Sequence, residues 1–434
     1  MKVLKFGGTS VGSPERIRNL MSLINRNERQ IVVLSAVAGT TNSLVAICNE
    51  YSEGKNPAPL IDSLNLKYGN FIGELFVSNE FRLKAKELIE MHFSTISSFS
   101  NGVFTPIHER VILAQGELIS THLFHYHLQE TGIPSVLLPA LDFMKINEDS
   151  EPEIPVISEK LNALLAKYPE SDIFITQGYI CRNAFGEIDN LKRGGSDYTA
   201  SLIGAALQAE EIQIWTDIDG MHNNDPRIVK NTRPIAQLSF EEAAELAYFG
   251  AKILHPQSVI PAQKHKVPVR LLNTMQPEAP GTLISDQRSE GEIKAVAAKD
   301  GIYAIKIQST RMLLVYGFLR KVFEVFERYK TPIDMVTTSE VAVSLTIDNP
   351  KYINEITSEL ESYGQISVDT EQTIICVVGD FVASKAGIAA RVLDTLKHIP
   401  LRMISYGGSR NNISILLDTS YKEQALQSLQ TLFN

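Results

Sequence analysis

The segment that decides the fold lies at residues 5–14 and reads KFGGTSVGSP. It follows a short apolar run at 3–6 and precedes a helix-like stretch, so its glycines form a turn between a strand and a helix. In open α/β sheets, ligands bind beyond the carboxyl ends of the strands, where such turns lie. The segment therefore predicts an α/β fold with a ligand site beside its first strand.

Three binding or catalytic motifs overlap in this turn. Gly7 and Gly12 have the G-x-x-x-x-G spacing of a P-loop, but Ser13 stands where that motif requires lysine. The G-x-S-x-G pattern around Ser10 would make it a hydrolase nucleophile, yet only nine residues precede it and leave no upstream loop for an oxyanion hole. The third interpretation is a turn whose N–H groups bind phosphate, with Lys5 supplying positive charge. We prefer it to a plain tight turn, which does not explain a lysine inside an apolar strand.

The first two thirds of the chain alternate short apolar runs with amphipathic, helix-like stretches. Such alternation favours a layered α/β fold with a central, mainly parallel sheet. The strand-like runs lie at 3–6, 30–35, 135–138, 172–177 and 213–216. Glycines and polar residues follow several of these runs, which places candidate ligand sites at one edge of the sheet.

Composition limits the class of protein. The 434 residues include 41 Lys and Arg against 50 Asp and Glu, a net charge of −9, and 44% are hydrophobic. These values indicate roughly two to three packed domains and argue against disorder and against a dedicated nucleic-acid binder. Because the three cysteines are widely spaced and we see no signal peptide or apolar run of ~18 residues, we expect a cytoplasmic protein. Any anionic ligand must then meet a local cluster of basic residues.

The C-terminal third contains an internal repeat. Residues 317–348 and 387–418 have equal length, are offset by 70 positions and share the order helix, strand, polar turn, strand. With flanking strands and closing helices, each copy predicts a βαββαβ unit of ferredoxin-like type. A stretch with several Pro and Gly residues at 276–292 is the candidate boundary before the repeat. The strand at 293–298 has no place in a simple tandem, which leaves open whether it belongs to the second copy, with the first copy inserted.

A second glycine turn, KRGGSD at 192–197, precedes another helix-like run. Ser196 or Asp197 would serve as the N-cap of that helix, which is the ordinary role of such residues. The preceding Arg193 changes this interpretation, because a guanidinium beside a glycine turn can bind a carboxylate or phosphate through two hydrogen bonds. We therefore predict a second anion-binding site at this turn.

The strand at 213–216 leads into TDIDG, and DPR follows at 225–227. Asp217 and Asp219 alternate along an extended segment and face opposite ways, which argues against a metal pair. An Asp-Gly turn would account for these acids alone, but their combination with Arg227 favours a nucleotide site.

Other polar residues carry weaker signals. Lys252 follows Gly250 at a helix break, where it either points into a site or lies along the surface. Glu117 interrupts an apolar stretch after a glycine and is uninformative by itself. No protein metal site is predicted, since three neighbouring histidines do not share one helical face: His122, His125 and His127.

Together these segments resemble the aspartate kinases of the amino-acid kinase family, in their monofunctional, lysine-sensitive form with tandem ACT domains. The resemblance spans essentially the whole chain and rests on five segments, each modest alone and specific in this order: 5–10, 193–197, 215–217, 225–227 and 249–256. It implies a carbamate-kinase-like α/β sandwich as the catalytic domain at 1–286. Two ferredoxin-like ACT domains would follow, one at 299–368 and one at 369–434, the second taking in the strand at 293–298.

The resemblance implies ATP-dependent phosphorylation of the L-aspartate β-carboxylate to 4-phospho-L-aspartate, the first step toward lysine, threonine and methionine. Lys5 would stabilise the transferred phosphoryl group, and Asp197 would organise Lys5 and the reacting groups. Mg²⁺ would be held mainly by the ATP phosphates. Such a transfer depends on positioning and charge neutralisation rather than on covalent participation of the protein.

The resemblance also assigns residues to three binding sites. The L-aspartate site would contain Ser35, Thr41, Glu117, Arg193, Gly194, Gly195 and Ser196. The ATP site would contain Lys5, Gly7, Gly8, Ser10, Thr216, Asp217, His222, Arg227, Lys252 and Ile253. The effector site in the first ACT copy would contain Met312, Gly317, Phe318, Leu319, Asp334, Ser339 and Glu340. In these assignments Arg193 binds the α-carboxylate of aspartate, Glu117 binds its ammonium, and Asp334 binds the ammonium of the effector.

The expected partners are L-aspartate, ATP, an amino-acid effector with lysine as the first candidate, and a second copy of the chain. That copy would form a homodimer through the ACT domains, or part of a tetramer, and neither nucleic acid nor membrane is expected. Two other functions stay open: an amino-acid kinase that acts on glutamate or N-acetylglutamate, and a catalytically silent ACT-type amino-acid sensor. The ACT pair disfavours the first, and the presence of Lys5, Arg193 and Asp197 disfavours the second.

Overall fold

The structure is a computed structural model that describes residues 1–100, 102–191, 194–250, 254–287, 293–309, 316–380 and 385–433. The chain divides into two compact units. The first unit contains Met1–Met221, Ala236–Phe240 and Ile253–Gln287, and the second contains His222–Ile235, Glu241–Lys252 and Arg288–Asn434. Among the described residues, no helix combines the length and the apolar composition that crossing a membrane requires.

Strands and helices alternate along the first unit. Its strands are β1 (Lys2–Phe6), β2 (Gln30–Leu34), β3 (Val136–Leu137), β4 (Ile173–Gln177), β5 (Ile180–Arg182), β6 (Ile188–Asn190), β7 (Glu211–Thr216), β8 (Gln237–Ser239), β9 (Val269–Asn273) and β10 (Thr282–Ser285). Its helices are α1 (Pro14–Leu20), α2 (Thr40–Ser52), α3 (Ala58–Leu75), α4 (Asn79–Ser97), α5 (Pro106–Glu130), α6 (Ala140–Phe143), α7 (Ile154–Leu165), α8 (Gly195–Leu207) and α10 (Ile260–His265). A further helix, α9 (Phe240–Tyr248), contributes only its first residue to this unit.

One sheet organises the first unit, with the strand order β3-β4-β2-β1-β7-β9-β10-β8. Every neighbouring pair in it is parallel except β9 with β10. The predicted α/β fold with a central, mainly parallel sheet is thereby confirmed. Phe6 at the end of β1 pairs with Leu34 of β2 and with Trp215 of β7, so the segments that follow these three strands emerge at the same edge.

The burial of β1 accounts for the apolar run at residues 3–6. Val3 and Phe6 are fully buried, and the Phe6 ring stacks on Trp215 with centroids 5.9 Å apart. Parallel strands that are covered on both faces read as continuous apolar runs, because neither face meets water. Lys5 is the exception in this strand, and a lysine in such a position requires a charged partner.

The second unit is built on one antiparallel sheet with the order β12-β13-β11-β14-β16-β15. Its strands are β11 (Ile293–Gln308), β12 (Val336–Thr338), β13 (Ala342–Ile347), β14 (Gln365–Gly379), β15 (Met403–Tyr406) and β16 (Asn412–Asp418). Its helices are α11 (Phe318–Arg328), α12 (Ile353–Leu360), α13 (Ile388–Thr395) and α14 (Lys422–Leu429), together with the rest of α9. Both copies of the repeat therefore contribute to a single sheet.

Two long strands join the copies of the repeat. The second half of β11 pairs with β13, whereas its first half, 293–299, pairs with the end of β14. That end of β14 also pairs with β16 of the second copy. The strand that had no place in a simple tandem thus lies beside strands of the second copy.

Two segments from earlier in the chain pack onto the same sheet. From the segment at 222–235, the Asn224 side chain donates to the Leu426 carbonyl at 2.9 Å. From the segment at 241–252, Glu242 forms a buried ion pair of 2.7 Å with Lys294. The boundary inferred at 276–292 gave no indication of this, because it was based on local composition and not on long-range contacts.

Candidate active site

An ion pair on the central strand is the first feature of the site. Lys5 of β1 is 9% exposed, and its Nζ lies 2.6 Å from Oδ1 of Asp197. Asp197 lies in the first turn of α8, where a carboxylate also interacts favourably with the helix dipole. The carboxylate therefore holds the lysine ammonium near the carboxyl edge of the sheet. The structure brings together the two residues that we predicted to be catalytic.

The glycine turn after β1 runs close to that ammonium. A β-carbon on Gly7 would lie 3.3 Å from Lys5 Nζ, and one on Gly8 would lie 3.1 Å from a carbonyl oxygen in the loop after β2. Glycine at both positions allows the turn to approach Lys5 and that loop closely. Ser10 is buried in the same turn, and its hydroxyl hydrogen-bonds with that of Thr274 at 2.7 Å.

A pocket of about 400 Å³ opens beside this turn. It is lined by Gly8, Ser35, Ala36, Val37, Ala38, Gly39, Thr41, Asn42, Glu117, Tyr179, Gly195 and Ser196. Five of these residues were predicted to bind the amino-acid substrate: Ser35, Thr41, Glu117, Gly195 and Ser196. The loops after β1 and β2, the middle of α5 and the start of α8 thus supply one cavity.

Glu117 is a buried carboxylate in this pocket. It is 4% exposed, and its Oε1 accepts a hydrogen bond of 3.3 Å from the backbone N–H of Ala36. Its Oε2 is also buried and has no hydrogen-bond partner among the described residues. Burial raises the pKa of Glu117 to about 8. A buried carboxylate with an unused oxygen is suited to a cationic ligand, which would restore the charged form.

A glycine one residue earlier explains how α5 reaches this position. A β-carbon on Gly116 would lie 2.8 Å from the side chain of Ala36, so only glycine lets the helix pack this closely on the loop after β2. The isolated Gly-Glu pair in the sequence thus has a packing reason that is visible only in three dimensions.

Three serines link the end of β2 to α5 and α8 beside the pocket. The hydroxyl of Ser35 donates to that of Ser196 at 2.9 Å, and Ser120 donates to the Ser35 carbonyl at 2.8 Å. A β-carbon on Gly178 would overlap the Ser196 hydroxyl, at 2.2 Å, so glycine is required where β4 ends. These contacts fix two hydroxyl groups at the pocket wall, where they can donate to an anionic substrate.

Two helices begin at the pocket without a side-chain cap. The N-cap residues Gly39 of α2 and Gly194 of α8 both have left-handed backbones, with φ of 80° and 73°, and neither can offer a capping side chain. The first N–H groups of such helices need acceptors, and the helix dipole favours negative charge there. Both helix ends are therefore suited to carboxylate or phosphate groups of a ligand.

Tyr179 is a pocket residue that the sequence did not reveal. Its φ of 67° is unusual for a side chain of this size, and the conformation is held by a hydrogen bond from its N–H to the Thr199 hydroxyl at 2.8 Å. Burial, with a further contribution from the charge of Glu117, raises the pKa of Tyr179 to about 12. Nothing in the local sequence marks this residue, since positive φ is ordinarily expected of glycine.

The predicted nucleotide residues beyond Lys5 and the glycine turn fall into three groups. Thr216 ends β7 at the same sheet edge as the glycine turn, and its hydroxyl bonds the carboxylate of Asp217 at 3.1 Å. His222 and Arg227 belong to the second unit, where Arg227 is paired with Asp225 through contacts of 2.9 and 2.7 Å. The remaining predicted residues, Arg193 of the substrate site with Lys252 and Ile253, lie outside the described residues.

The predicted effector residues lie in the second unit, except that Met312 is outside the described residues. Gly317, with a φ of 81°, is the N-cap of α11, and Phe318 and Leu319 begin that helix. Asp334 precedes β12, and its side chain is 1% exposed. Ser339 and Glu340 are exposed in the turn between β12 and β13.

Comparisons with known proteins agree with this architecture. Residues 1–273 match the model of the amino acid kinase family, and residues 375–433 match a model of the ACT domain. The chain therefore belongs to the amino acid kinase family. Within that family, its relatives over nearly the full length are aspartokinases.

Two curated relatives and one solved structure illustrate the similarity. Aspartokinase 3 of Arabidopsis thaliana chloroplasts is 34% identical, over 99% of this chain and 81% of its own length. The lysine-sensitive aspartokinase 3 of Escherichia coli K12 is 31% identical, over 99% of this chain and 98% of its own. The crystal structure of Escherichia coli aspartokinase III with aspartate and ADP covers 100% of both chains, with 32% identity and a TM-score of 0.84.

Proposed function

We propose that this chain is an ATP:L-aspartate 4-phosphotransferase, which converts L-aspartate to 4-phospho-L-aspartate in the first step toward lysine, threonine and methionine. Its full-length relatives are named aspartokinases, and one of them was crystallised with aspartate and ADP. The observation that carries the proposal is the unpartnered, buried Oε2 of Glu117 in a pocket that also contains two serine hydroxyls and two uncapped helix starts. Such a pocket suits a ligand with one ammonium and several carboxylate oxygens.

Glu117 binds the substrate ammonium in this proposal. An isolated buried carboxylate is strongly disfavoured unless it gains a cation, so the ammonium contributes more here than it would at an exposed carboxylate. A substrate whose nitrogen is acylated, such as N-acetylglutamate, would leave Glu117 without a partner. The pocket should therefore discriminate against that compound.

Other residues of the proposed site bind the carboxylates. Arg193 takes the α-carboxylate through two parallel hydrogen bonds, and the glycines Gly194 and Gly195 that follow it in the sequence allow close approach. Ser35, Ser196 and Thr41 donate hydrogen bonds that fix the orientation of aspartate. The N–H groups at the start of α8 add positive potential at the same place.

The transfer itself requires positioning and charge neutralisation. The aspartate β-carboxylate is already ionised near neutral pH, so its oxygen can attack the γ-phosphorus without a general base. As that bond forms, the bond from the γ-phosphorus to the bridging oxygen breaks, and ADP departs with the electron pair. Lys5 stabilises the charge on the transferred group beside the Gly7–Gly8 turn, and Asp197 acts as a positioning residue that orients the Lys5 ammonium.

ATP binds with Mg²⁺ in this proposal. Within the part of the chain that the structure describes, no three His, Cys, Asp or Glu side chains form a group that could hold a metal ion, so the phosphates would provide most of the ligands. Mg²⁺ would neutralise phosphate charge. Candidate protein contacts to the nucleotide remain Ser10, Thr216, Asp217, His222, Arg227, Lys252 and Ile253.

The proposal also covers regulation by an effector and assembly into oligomers. One of the relatives, aligned over 99% of this chain, is named as lysine-sensitive, and residues 375–433 of this chain match a model of the ACT domain, which supports lysine as the effector. We also propose a homodimer formed through the ACT repeats, or a tetramer of such dimers. The three cysteines are free and buried, which is compatible with a reducing, cytoplasmic compartment.

Substrate competition tests the proposal. ADP release and trapping of the acyl phosphate with hydroxylamine are measured with L-aspartate, L-glutamate and N-acetyl-L-glutamate. We expect turnover with aspartate, with kcat/KM at least about 100-fold above that for the other two. Turnover with glutamate or N-acetylglutamate but not aspartate would contradict the proposal, and tight amino-acid binding without any turnover would instead favour a sensor.

A further inference from the structure

Asp334 in the first repeat already has a cation. Nζ of Lys299, on β11, lies 2.9 Å from Asp334 Oδ1 and also 2.9 Å from Asp348 Oδ2. The Tyr248 hydroxyl donates to the same Asp334 oxygen at 2.5 Å. The Asp334 side chain is 1% exposed, and its Oδ2 is buried without a hydrogen-bond partner among the described residues.

Lys299 is held on a third side by an aromatic ring. Its Nζ lies 4.3 Å from the centroid of the Tyr248 ring, within the range of a cation–π interaction. Burial acts to lower the pKa of Lys299, but the hydrogen bonds to Asp348 and Asp334 outweigh it and raise the pKa above the ordinary value. Burial and the hydrogen bond to Asp334 likewise raise the pKa of Tyr248. Two carboxylates and one ring thus bind a single ammonium inside the second unit.

This arrangement changes what an effector must do. The proposed function gives Asp334 the task of binding the ammonium of an amino-acid effector. In the structure Oδ1 of that carboxylate is bound by an ammonium from its own chain. A second ammonium at the unpartnered Oδ2 would lie close to that of Lys299 and be repelled by it, so the two compete for one negative charge. The apparent affinity of a ligand falls in proportion to the fraction of molecules whose site is open to it.

We propose that Lys299 is an internal competitor for Asp334, so that the chain binds a lysine effector only by displacing its own lysine side chain. The inference rests on the proposed function, because it assumes that the first repeat binds an amino-acid effector. Lys299 occupies the ammonium position in the absence of the effector, and Asp348 retains the displaced side chain when the effector arrives. The competition sets the effector concentration at which the protein responds.

Tyr248 connects this exchange to α9. Three residues on one face of that helix, spaced at i, i+3 and i+6, bond to the C-terminal part of the second unit. Glu242 pairs with Lys294 at 2.7 Å, Glu245 accepts from Asn412 at 2.5 Å, and Tyr248 bonds Asp334. Of the three contacts, only that of Tyr248 depends on the carboxylate that the effector would take. Displacement of Lys299 would remove its cation–π contact with Tyr248 and so weaken the attachment of the last turn of α9, while the other two contacts hold.

The position equivalent to Asp334 in the second repeat is Arg402. The backbone N–H of Asp334 bonds the Thr346 carbonyl, and that of Arg402 bonds the Leu416 carbonyl, 70 residues further along. A guanidinium, here paired with Asp369 at 2.8 Å, cannot bind an ammonium, so the carboxylate that Lys299 occupies has no counterpart at that position.

Calorimetric titration of the full chain with L-lysine tests the inference. Lys299→Met removes the competitor and leaves Asp334 without its cation, so the Kd for lysine should fall at least about tenfold relative to the natural chain. Lys299→Arg keeps the positive charge and should leave the Kd within about twofold, as should Lys306→Met, a matched change on the same strand. An unchanged or higher Kd in Lys299→Met would overturn the inference, and so would the absence of lysine binding in the natural chain and every variant.

A second variant covers the case in which Lys299→Met does not fold. Tyr248→Phe keeps Lys299 but removes one donor from Asp334, and we expect its Kd for lysine to fall by about two- to fivefold. An unchanged Kd in that variant would contradict the inference. Aspartate-dependent ADP release is measured on the same preparations, so that a failure of the kinase assignment is seen separately from a failure of lysine binding.

Discussion

Glu117 in the first unit and Asp334 in the second are both buried carboxylates, and both were predicted to bind the ammonium of an amino acid. They differ in what the protein itself supplies. Each has one buried oxygen without a hydrogen-bond partner in the described part of the chain. The other oxygen of Glu117 accepts from the backbone N–H of Ala36, whereas that of Asp334 is bound by the Lys299 ammonium and the Tyr248 hydroxyl. A ligand ammonium at Asp334 must therefore compete with a cation that is already present.

This difference gives ligand binding a different energetic basis at the proposed substrate site and at the proposed regulatory site. At Glu117, burial favours the protonated carboxyl group in the free protein, and the ligand ammonium stabilises the charged form when it binds. At Asp334, the charge is already compensated, so the ligand gains only the difference between two similar ion pairs. The apparent Kd of such a site is higher than its intrinsic Kd, in proportion to the fraction of molecules in which Lys299 occupies it.

The largest effect is expected from a substitution that removes the cation of the first site. Lys5→Ala deletes the ammonium that would stabilise the transferred phosphoryl group, and we expect kcat to fall by about 10³-fold with a much smaller change in the KM for aspartate. Lys2→Ala, on the same strand and in an ion pair with Glu28, is the control. Equal changes in kcat and KM would contradict the role of Lys5.

Substitution of Glu117 tests directly whether its carboxylate binds the substrate ammonium. Glu117→Gln keeps the size of the side chain but cannot form an ion pair, so the KM for aspartate should rise by about 100-fold, with kcat less affected. Glu109→Gln on the same helix should change neither constant by more than about twofold. Steady-state kinetics checks both variants, and an unaltered KM in Glu117→Gln would show that the ammonium binds elsewhere.

The pH dependence of the KM for aspartate also tests the role of Glu117. The pKa of Glu117 is raised to about 8 by burial, so the free protein holds a proton that aspartate binding must release. The KM for aspartate should therefore fall as pH rises from 6 to 8, by at most about tenfold per pH unit, and the slope should disappear in Glu117→Gln. A KM that is independent of pH in the natural chain would count against this protonation state.

The same raised pKa affects folding stability without substrate. The folded pKa of Glu117 lies above its ordinary value of 4.5, so ionisation favours the unfolded chain. The stabilisation from the protonated group is fully present below the ordinary value and is lost as pH rises toward 8. Thermal melts of the natural chain and of Glu117→Gln over that interval should converge at low pH and diverge at high pH.

The smallest expected effect concerns Tyr179, which borders Glu117 in the pocket. Tyr179→Phe keeps the ring and the strained backbone but removes the hydroxyl, and we expect a two- to fivefold change in the KM for aspartate, of the size that one hydrogen bond produces. Tyr168→Phe, at a surface position, is the control. A loss of more than about 100-fold would mean that the hydroxyl contacts the reacting groups.

Some features could be predicted from residues that are close together in sequence. The glycine turn at 5–14 indicated a ligand site after β1, and the alternation of apolar runs indicated the parallel sheet. Lys5 was informative because a charge inside an apolar strand is costly without a partner. The 70-residue offset revealed the repeat, since both copies keep the same order of elements.

Other features depend on contacts between distant residues. Glu117 gained its assignment only from the family resemblance, because its position beside Ala36 depends on the packing of α5 at Gly116. Tyr179 gave no signal, since its positive φ is imposed by the surrounding structure. The contact of Tyr248 with Asp334 joins residues that are 86 positions apart, which no local pattern encodes.

Proton release on ligand binding tests the difference between the two carboxylates most directly. Calorimetric titrations at pH 7 in two buffers of different ionisation enthalpy give the number of protons released per ligand bound. We predict that aspartate releases about one proton from the natural chain and almost none from Glu117→Gln, while lysine, which exchanges one ammonium for another at Asp334, releases almost none from either. Equal proton release by aspartate from the natural chain and from Glu117→Gln would contradict the assignment of Glu117 as the carboxylate that binds the substrate ammonium.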